Sequence, residues 1–190
     1  NPEAFSGGDD EESDEGLRRR LLDTYQRLPN GANAAYYEQT ALSCDGVAAA
    51  VAVGRARGVG TVDLYIATDA GVPDEDMLRQ VDEALQERRE ISVDLRVLAP
   101  KAEPVEIAVA LRPAQGRTFA QARTDADAVL RAAFTGAILG KGVTLAYLGN
   151  LLYRLESVEN YRFTSPAEDI AASPTILPVL GGVAITELEG

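Results

Sequence analysis

The sequence contains no histidine and no tryptophan, a single cysteine, and only 6% aromatic residues. Without histidine the commonest general base is missing, and Ser-His triads and histidine metal sites are excluded with it. The lone Cys44 can form neither an internal disulfide nor a multi-cysteine zinc site. With nothing to activate it, it reads as a small, partly buried residue ahead of the Asp45-Gly46 turn. No apolar run approaches the roughly 20 residues of a membrane helix, and no secretory signal opens the chain. Asn1 stands where an initiator Met would, so the 190 residues are expected to be a piece of a longer polypeptide. Basic residues are also scarce, 18 Lys and Arg against 30 Asp and Glu. Phosphate contacts need clustered cations, so a nucleic-acid surface is not expected.

What is present is an ordinary globular composition, 46% hydrophobic and 25% charged. The net charge of −12 is concentrated at the start, where residues 1–16 hold seven acids and no Lys or Arg, leaving a net of −5 for the rest. Six of those acids lie within Asp9 to Glu15. Read as an EF-hand loop from Glu11, Gly16 falls sixth but Leu22 occupies the twelfth position, where a closing Glu belongs. The metal reading therefore fails on spacing. Leu17, Leu21, Tyr25 and Leu28 instead recur at intervals of four, four and three, which is one face of a helix. Asp9 as cap, Glu12 as the capping-box partner, early acids and later Arg18, Arg19, Arg20 and Arg27 complement the helix dipole.

Further along, a break at Pro29 to Gly31 precedes a helix capped near Asn33 and running to about Ser43. Two strands, VAAAVAV and TVDLYIA, flank the glycine-punctuated GRARGVG. A helix striped by Met77, Leu78, Val81, Ala84 and Leu85 follows. Strict alternation marks ISVDLRVL and VEIAVAL as strands, with Ile91, Val93, Leu95 and Val97 on one face of the first. The prolines of APKAEP between them suggest a hinge between lobes. A long helix is expected from about Thr118 to Leu139, then a shorter one in which Leu145, Leu148, Leu152 and Leu155 form a stripe. A strand near Val158 to Thr164, a loop from Ser165 to Gly182 and a final strand VAITEL complete the chain. The expected fold class is α+β in two small lobes, αα-ββ-α-β over residues 1–102 and β-αα-ββ over residues 103–190.

Two segments imitate phosphate sites. GAILGKG at Gly136 to Gly142 has three residues where a P-loop needs four, and Gly142 where it needs Ser or Thr. GVG at Gly58 to Gly60 lacks the third glycine of a dinucleotide fingerprint and precedes a strand instead of following one. Both read as turns. Carboxylates are plentiful, but spacing in sequence cannot bring two together across a cleft. No catalytic, cofactor-binding or metal-binding residue is assigned.

The ordered segments GGDDEESDEGLRRRLLDTYQRLPNGANAAYYEQTAL, RARGVGTVDLYI, DLRVLAP, PVEIAVAL and TSPAEDIAASPTILPVLGGVAIT together resemble the baseplate J-like proteins of contractile phage tails and related injection devices. The resemblance runs from about Phe5 to Glu187. It implies a structural subunit of the baseplate wedge, present in several copies, contacting other wedge proteins and copies of itself. It implies no cofactor, no small-molecule substrate, no nucleic acid and no membrane insertion. The location implied is the tail baseplate of a virion, with assembly in the host cytoplasm. Full-length members carry a further N-terminal region, and their hairpin before the GTVD strand is often longer and more aromatic than VAAAVAVGRARG.

Candidate contact residues are Leu145, Leu148, Leu152 and Leu155 on the helix, and Ile170, Ile176, Leu177, Val179 and Leu180 in the proline-bracketed loop. Each set has two readings, subunit contact or the chain's own core. Two other function classes remain open. A carboxylate hydrolase acting on cell-wall or other sugar polymers requires two facing acids, one of them with a raised pKa. A surface-binding module requires shallow aromatic pockets.

Overall fold

The protein is described by a computed structural model over residues 13–26 and 33–188. Helix α1 spans Asp14–Gln26, and the Ser13 hydroxyl accepts the Gly16 N–H at 3.2 Å. The Asp9 and Glu12 cap expected from sequence lies outside the described residues. Of the expected apolar face, Leu17 and Leu21 are exposed, as is Leu22.

The first lobe is α2 (Ala34–Leu42), β1 (Ala49–Gly54), β2 (Thr61–Ala67), α3 (Glu75–Gln86) and β3 (Asp94–Leu98). Its three-stranded sheet has the order β1-β2-β3, with β2 antiparallel to β1 and parallel to β3. A parallel pair needs a crossover, and α3 supplies it. Caps fix where each helix starts: Asn33 accepts the Tyr36 N–H at 3.0 Å and Asp74 the Met77 N–H at 2.8 Å. Tyr37, Ala41, Leu64, Ile66, Val81, Leu85 and Leu95 form the core of this lobe. Cys44 is half-buried beside it.

The second lobe is β4 (Lys101–Pro113), α4 (Phe119–Ala133), a 3-10 turn (Gly136–Ile138), α5 (Leu145–Tyr153), β5 (Val158–Ser165) and β6 (Ile176–Glu187). β4 is central, antiparallel to β5 and parallel to β6. Helices α4 and α5 cover one face, burying Ile107, Val109, Leu111, Leu130, Leu148 and Leu152 against one another. α4 opens on a capping box, the Thr118 hydroxyl accepting the Gln121 N–H and the Gln121 side chain accepting the Thr118 N–H. The α+β class and both element orders match the sequence expectation.

Four boundaries differ from it. β3 begins at Asp94, not Ile91, because its partner β2 starts only at Thr61 after the hairpin. Ile91 is fully exposed in a turn tied by the Arg89 guanidinium to the Glu90 and Val93 carbonyls. α4 stops at Ala133, where Phe134 leaves helical geometry at φ −100°, ψ 77° and Thr135 caps the 3-10 turn. Pro104 lies inside β4. The expected loop to Gly182 also ends early, since β6 starts at Ile176. Prolines are tolerated in both strands for one reason. Lys101 N–H donates to Thr175 C=O at 2.9 Å, so by alternation residues 101, 103 and 105 of β4 bond β6. Pro104 and, on β6, Pro178 then face away from that ladder, where no N–H is required.

The two lobes meet through a third apolar cluster of Ala49, Ala67, Leu139 and Leu177, with Val51, Tyr65, Ile138 and Val179 packed around it. The segment that imitates a P-loop is the wedge between them. A Cβ on Gly136 would overlap the Thr68 carbonyl oxygen, so only glycine allows this approach. Gly140 has φ +73° and sits against the Val51 side chain.

Candidate functional site

The predicted contact residues fall into three separate places. Leu148 and Leu152 are wholly buried between α5 and the sheet of their own lobe, with Leu145 and Leu155 half-buried at the ends of the same stripe. Leu177 is wholly buried in the cluster between the lobes, and Val179 packs at its margin. Leu180 packs on the core of the second lobe. Ile170 and Ile176 line a cleft beside β4. Leu148, Leu152 and Leu177 therefore face no partner while the chain is folded. The helical spacing marked the buried side of α5, whereas Tyr147 and Tyr153 on its other side are exposed.

The cleft has a volume of about 460 Å³ and lies between the first half of β4 and the connection from β5 to β6. Its geometry follows from a mismatch of strand lengths. β6 pairs with β4 from Lys101 onward, but β5 pairs only from Ala108. At Ser165 the chain turns away through a cis peptide bond to Pro166, after the Ser165 hydroxyl has donated to the Glu106 carbonyl at 2.7 Å. The connection is then pinned at two points. Ile170 and Val143 exchange backbone hydrogen bonds of 2.9 and 3.0 Å, and the Asp169 carboxylate accepts the Leu145 N–H at 2.7 Å, helping to start α5. Asp169 carries no signal in sequence, because its partner lies 24 positions away.

Two carboxylates, Glu103 and Glu106, line the cleft. β4 keeps regular alternation here, since the extra residue at the bulge, Gly181, is on β6. Glu103 and Glu106, three apart, therefore project from opposite faces of the strand. That is not the facing pair a glycosidase uses.

The strongest electrostatic construction lies elsewhere. Arg57, on the β1–β2 hairpin, donates from Nε to Asp63 at 2.7 Å, from Nη1 to the Asp94 carboxylate and from Nη2 to the Asp94 carbonyl at 3.0 Å. It thereby links the hairpin, β2 and the start of β3. The hydrogen bond from Arg57 holds the Asp94 carboxyl below the usual carboxylate range, and Asp94 in turn raises Arg57. Asp127 is lowered in the same way by Arg131 on α4. Both shifts run opposite to those of a general acid. A second buried carboxylate, Glu38 of α2, accepts the Ala52 N–H at 3.0 Å and so occupies part of the outer edge of β1. Among the described residues no group of three or more His, Cys, Asp or Glu gathers as a metal site, and no helix is long and apolar enough to cross a membrane.

Residues 29–112, the first lobe and most of β4, match the family described as the Baseplate J-like central domain. That stretch is similar to the Baseplate J-like central domain. Around that domain the similarity is broader. An uncharacterized protein of Bacillus subtilis (strain 168), YqbT, is 27% identical over 192 aligned positions, covering 95% of this chain and 55% of YqbT. A chain in the cryo-EM structure of the anti-feeding prophage baseplate, 6-fold symmetrised, matches with a TM-score of 0.58 at 10% identity, over 93% of this chain and 42% of that one. This chain thus shares its fold with that chain, and it spans about half the length of the proteins it resembles. The baseplate J-like resemblance read from the ordered segments is borne out by the domain match.

Proposed function

We propose that this chain is a structural component of a contractile-tail baseplate, acting through contacts with other baseplate proteins and with copies of itself. The single observation that carries the reading is the Baseplate J-like central domain, set in a fold shared over 93% of the chain with a contractile-apparatus baseplate subunit. The work of such a subunit is to hold shape. The glycine wedge between the lobes, the Arg57 ties and the capped helices favour rigidity. We further propose that the chain divides into its two lobes at the start of β4, two residues ahead of the 102/103 boundary expected from the sequence, and that it performs no catalysis. The divergent Glu103 and Glu106 and the lowered carboxylates Asp94 and Asp127 favour that view over a hydrolase. Of the predicted contact residues, Ile170 and Ile176 are assigned to intermolecular contact because they line an open cleft. The place of action is the tail baseplate of a particle assembled in a host cytoplasm.

The test is the location of the protein in purified particles. Tail or injection particles from the source organism, labelled with antibody against this chain, should carry label at the baseplate end of the sheath. Particles that are complete by electron microscopy yet lack the chain by mass spectrometry would remove the proposal.

A further inference from the structure

The cleft beside β4 is a break in a sheet, and its chemistry describes what would fill it. Residues 101, 103 and 105 bond β6, so the backbone groups of Ala102, Pro104 and Glu106 point to the opposite edge. The Ser165 hydroxyl on the Glu106 carbonyl, and the Thr164 hydroxyl on the Ala108 carbonyl, confirm that direction. β5 would cover this edge if it continued, but its pairing ends at Ala108. Left without a β5 partner along this edge are the N–H and C=O of Ala102, the C=O of Pro104 and the N–H of Glu106, and of these residues Pro104 and Glu106 line the cleft. These are donors and acceptors at strand spacing, along an edge that a further strand could extend.

Side chains supply the rest of the specification. The walls are apolar, formed by Val105, Ile170, Ala171, Ala172, Ile176 and the prolines. Glu103 and Glu106 are the charged residues of the lining, and no Lys or Arg is among it. Neither acid has an ion-pair partner among the described residues, and Glu168 and Asp169 on the connection are also exposed. A cleft of about 460 Å³ admits a few side chains, not a helix.

We propose that the open edge of β4 from Ala102 to Glu106 is a strand-addition site for an extended segment of a neighbouring chain, with alternating apolar side chains and basic residues. The occupant continues the line of β5, pairs its backbone with Ala102, Pro104 and Glu106, seats apolar side chains on the face of Val105 and Ile170, and sets its cations on the opposite face, which carries Glu106. The identity of the occupant as a baseplate neighbour rests on the assembly reading; the cleft chemistry does not.

Ala102→Pro isolates the claim. It removes the one N–H at that position, which has no partner in the β4 ladders among the described residues, and Pro104 shows that this edge accepts proline without loss of the strand. The probe is an acetylated, amidated hexapeptide alternating valine with lysine or threonine, titrated onto the full chain and followed by amide exchange and calorimetry. Saturable binding should slow exchange at the Ala102 and Glu106 amides. Ala102→Pro should keep its melting temperature and bind about fivefold more weakly, the worth of one net hydrogen bond. Glu106→Gln should weaken binding and flatten its salt dependence. An N-methylated peptide that binds as well, equal binding by Ala102→Pro, or no saturable binding to folded protein would each overturn the proposal. Those failures leave the particle-location test untouched, and absence of the chain from particles leaves the peptide result standing.

Discussion

Replacing Gly136 by Ala tests whether the lobes are locked by backbone contact. The added Cβ would overlap the Thr68 carbonyl oxygen and come within 2.9 Å of the Ala67 Cβ and the Thr68 carbonyl carbon. None of these atoms can rotate away, because two are main chain and the third is attached directly to it. Relief requires the 3-10 turn to lift off β2, which loosens Ile138 and Leu139 from Ala49, Ala67 and Leu177. Overpacking of this kind costs about 1–3 kcal/mol. At about 2–4 °C per kcal/mol for a chain of this size, a cost near 2 kcal/mol lowers Tm by about 4–8 °C. Gly54→Ala is the control, since a Cβ there meets nothing within 4 Å, and it should change stability by less than about 0.5 kcal/mol. Calorimetry of the two variants side by side, with amide exchange read at Leu177 and Val179, measures the difference. If Gly136→Ala melts within about 1 °C of Gly54→Ala, the close approach does not hold the lobes and the wedge argument fails.

Three further outcomes follow from the same structure. Leu152→Ala, at a wholly buried site, should cost about 2–5 kcal/mol in denaturant unfolding, whereas Tyr153→Ala, 77% exposed, should stay within about 0.5 kcal/mol. Equal effects would mean that the stripe is not core. Thr118→Ala removes the hydroxyl half of the α4 capping box and should cost about 0.5–2 kcal/mol, read from the urea midpoint. The Asp94 carboxyl is held below its ordinary range by Arg57, so its contribution is fully present above the unfolded-state pKa and lost as pH falls through the lower folded value. Arg57→Ala should therefore lose stability at neutral pH and show a shallower decline as pH falls below the ordinary Asp range. An unchanged acid limb would show that the tie does not couple to folding.

The elements legible in sequence were those whose signal is local. Val81 and Leu85 recur at helical spacing in α3, and Val105, Ile107, Val109 and Leu111 alternate along β4, so pattern alone identifies both. In sequence β6 reads too short, because ILPVLGG carries a proline and two glycines. Only the presence of β4 beside it shows that Pro178 faces the unbonded edge and that Gly181 is the extra residue of a bulge. Alternation alone extends the strand back to Ile91, yet a strand exists only where a partner runs, and β2 begins too late to pair with it. The leucines of α5 announced an apolar face without saying what covers it.

The order of helices and strands, the α+β class and the resemblance to the Baseplate J-like family were thus written in the chain itself, because hydrophobic period, caps and turn residues act over a few neighbouring positions. The tertiary structure alone decided the glycine wedge between the lobes, the Asp169 cap, the ties from Arg57 and the open edge of β4. Each depends on groups distant in sequence arriving at one place, and no local spacing encodes the distance between two segments that meet only after folding.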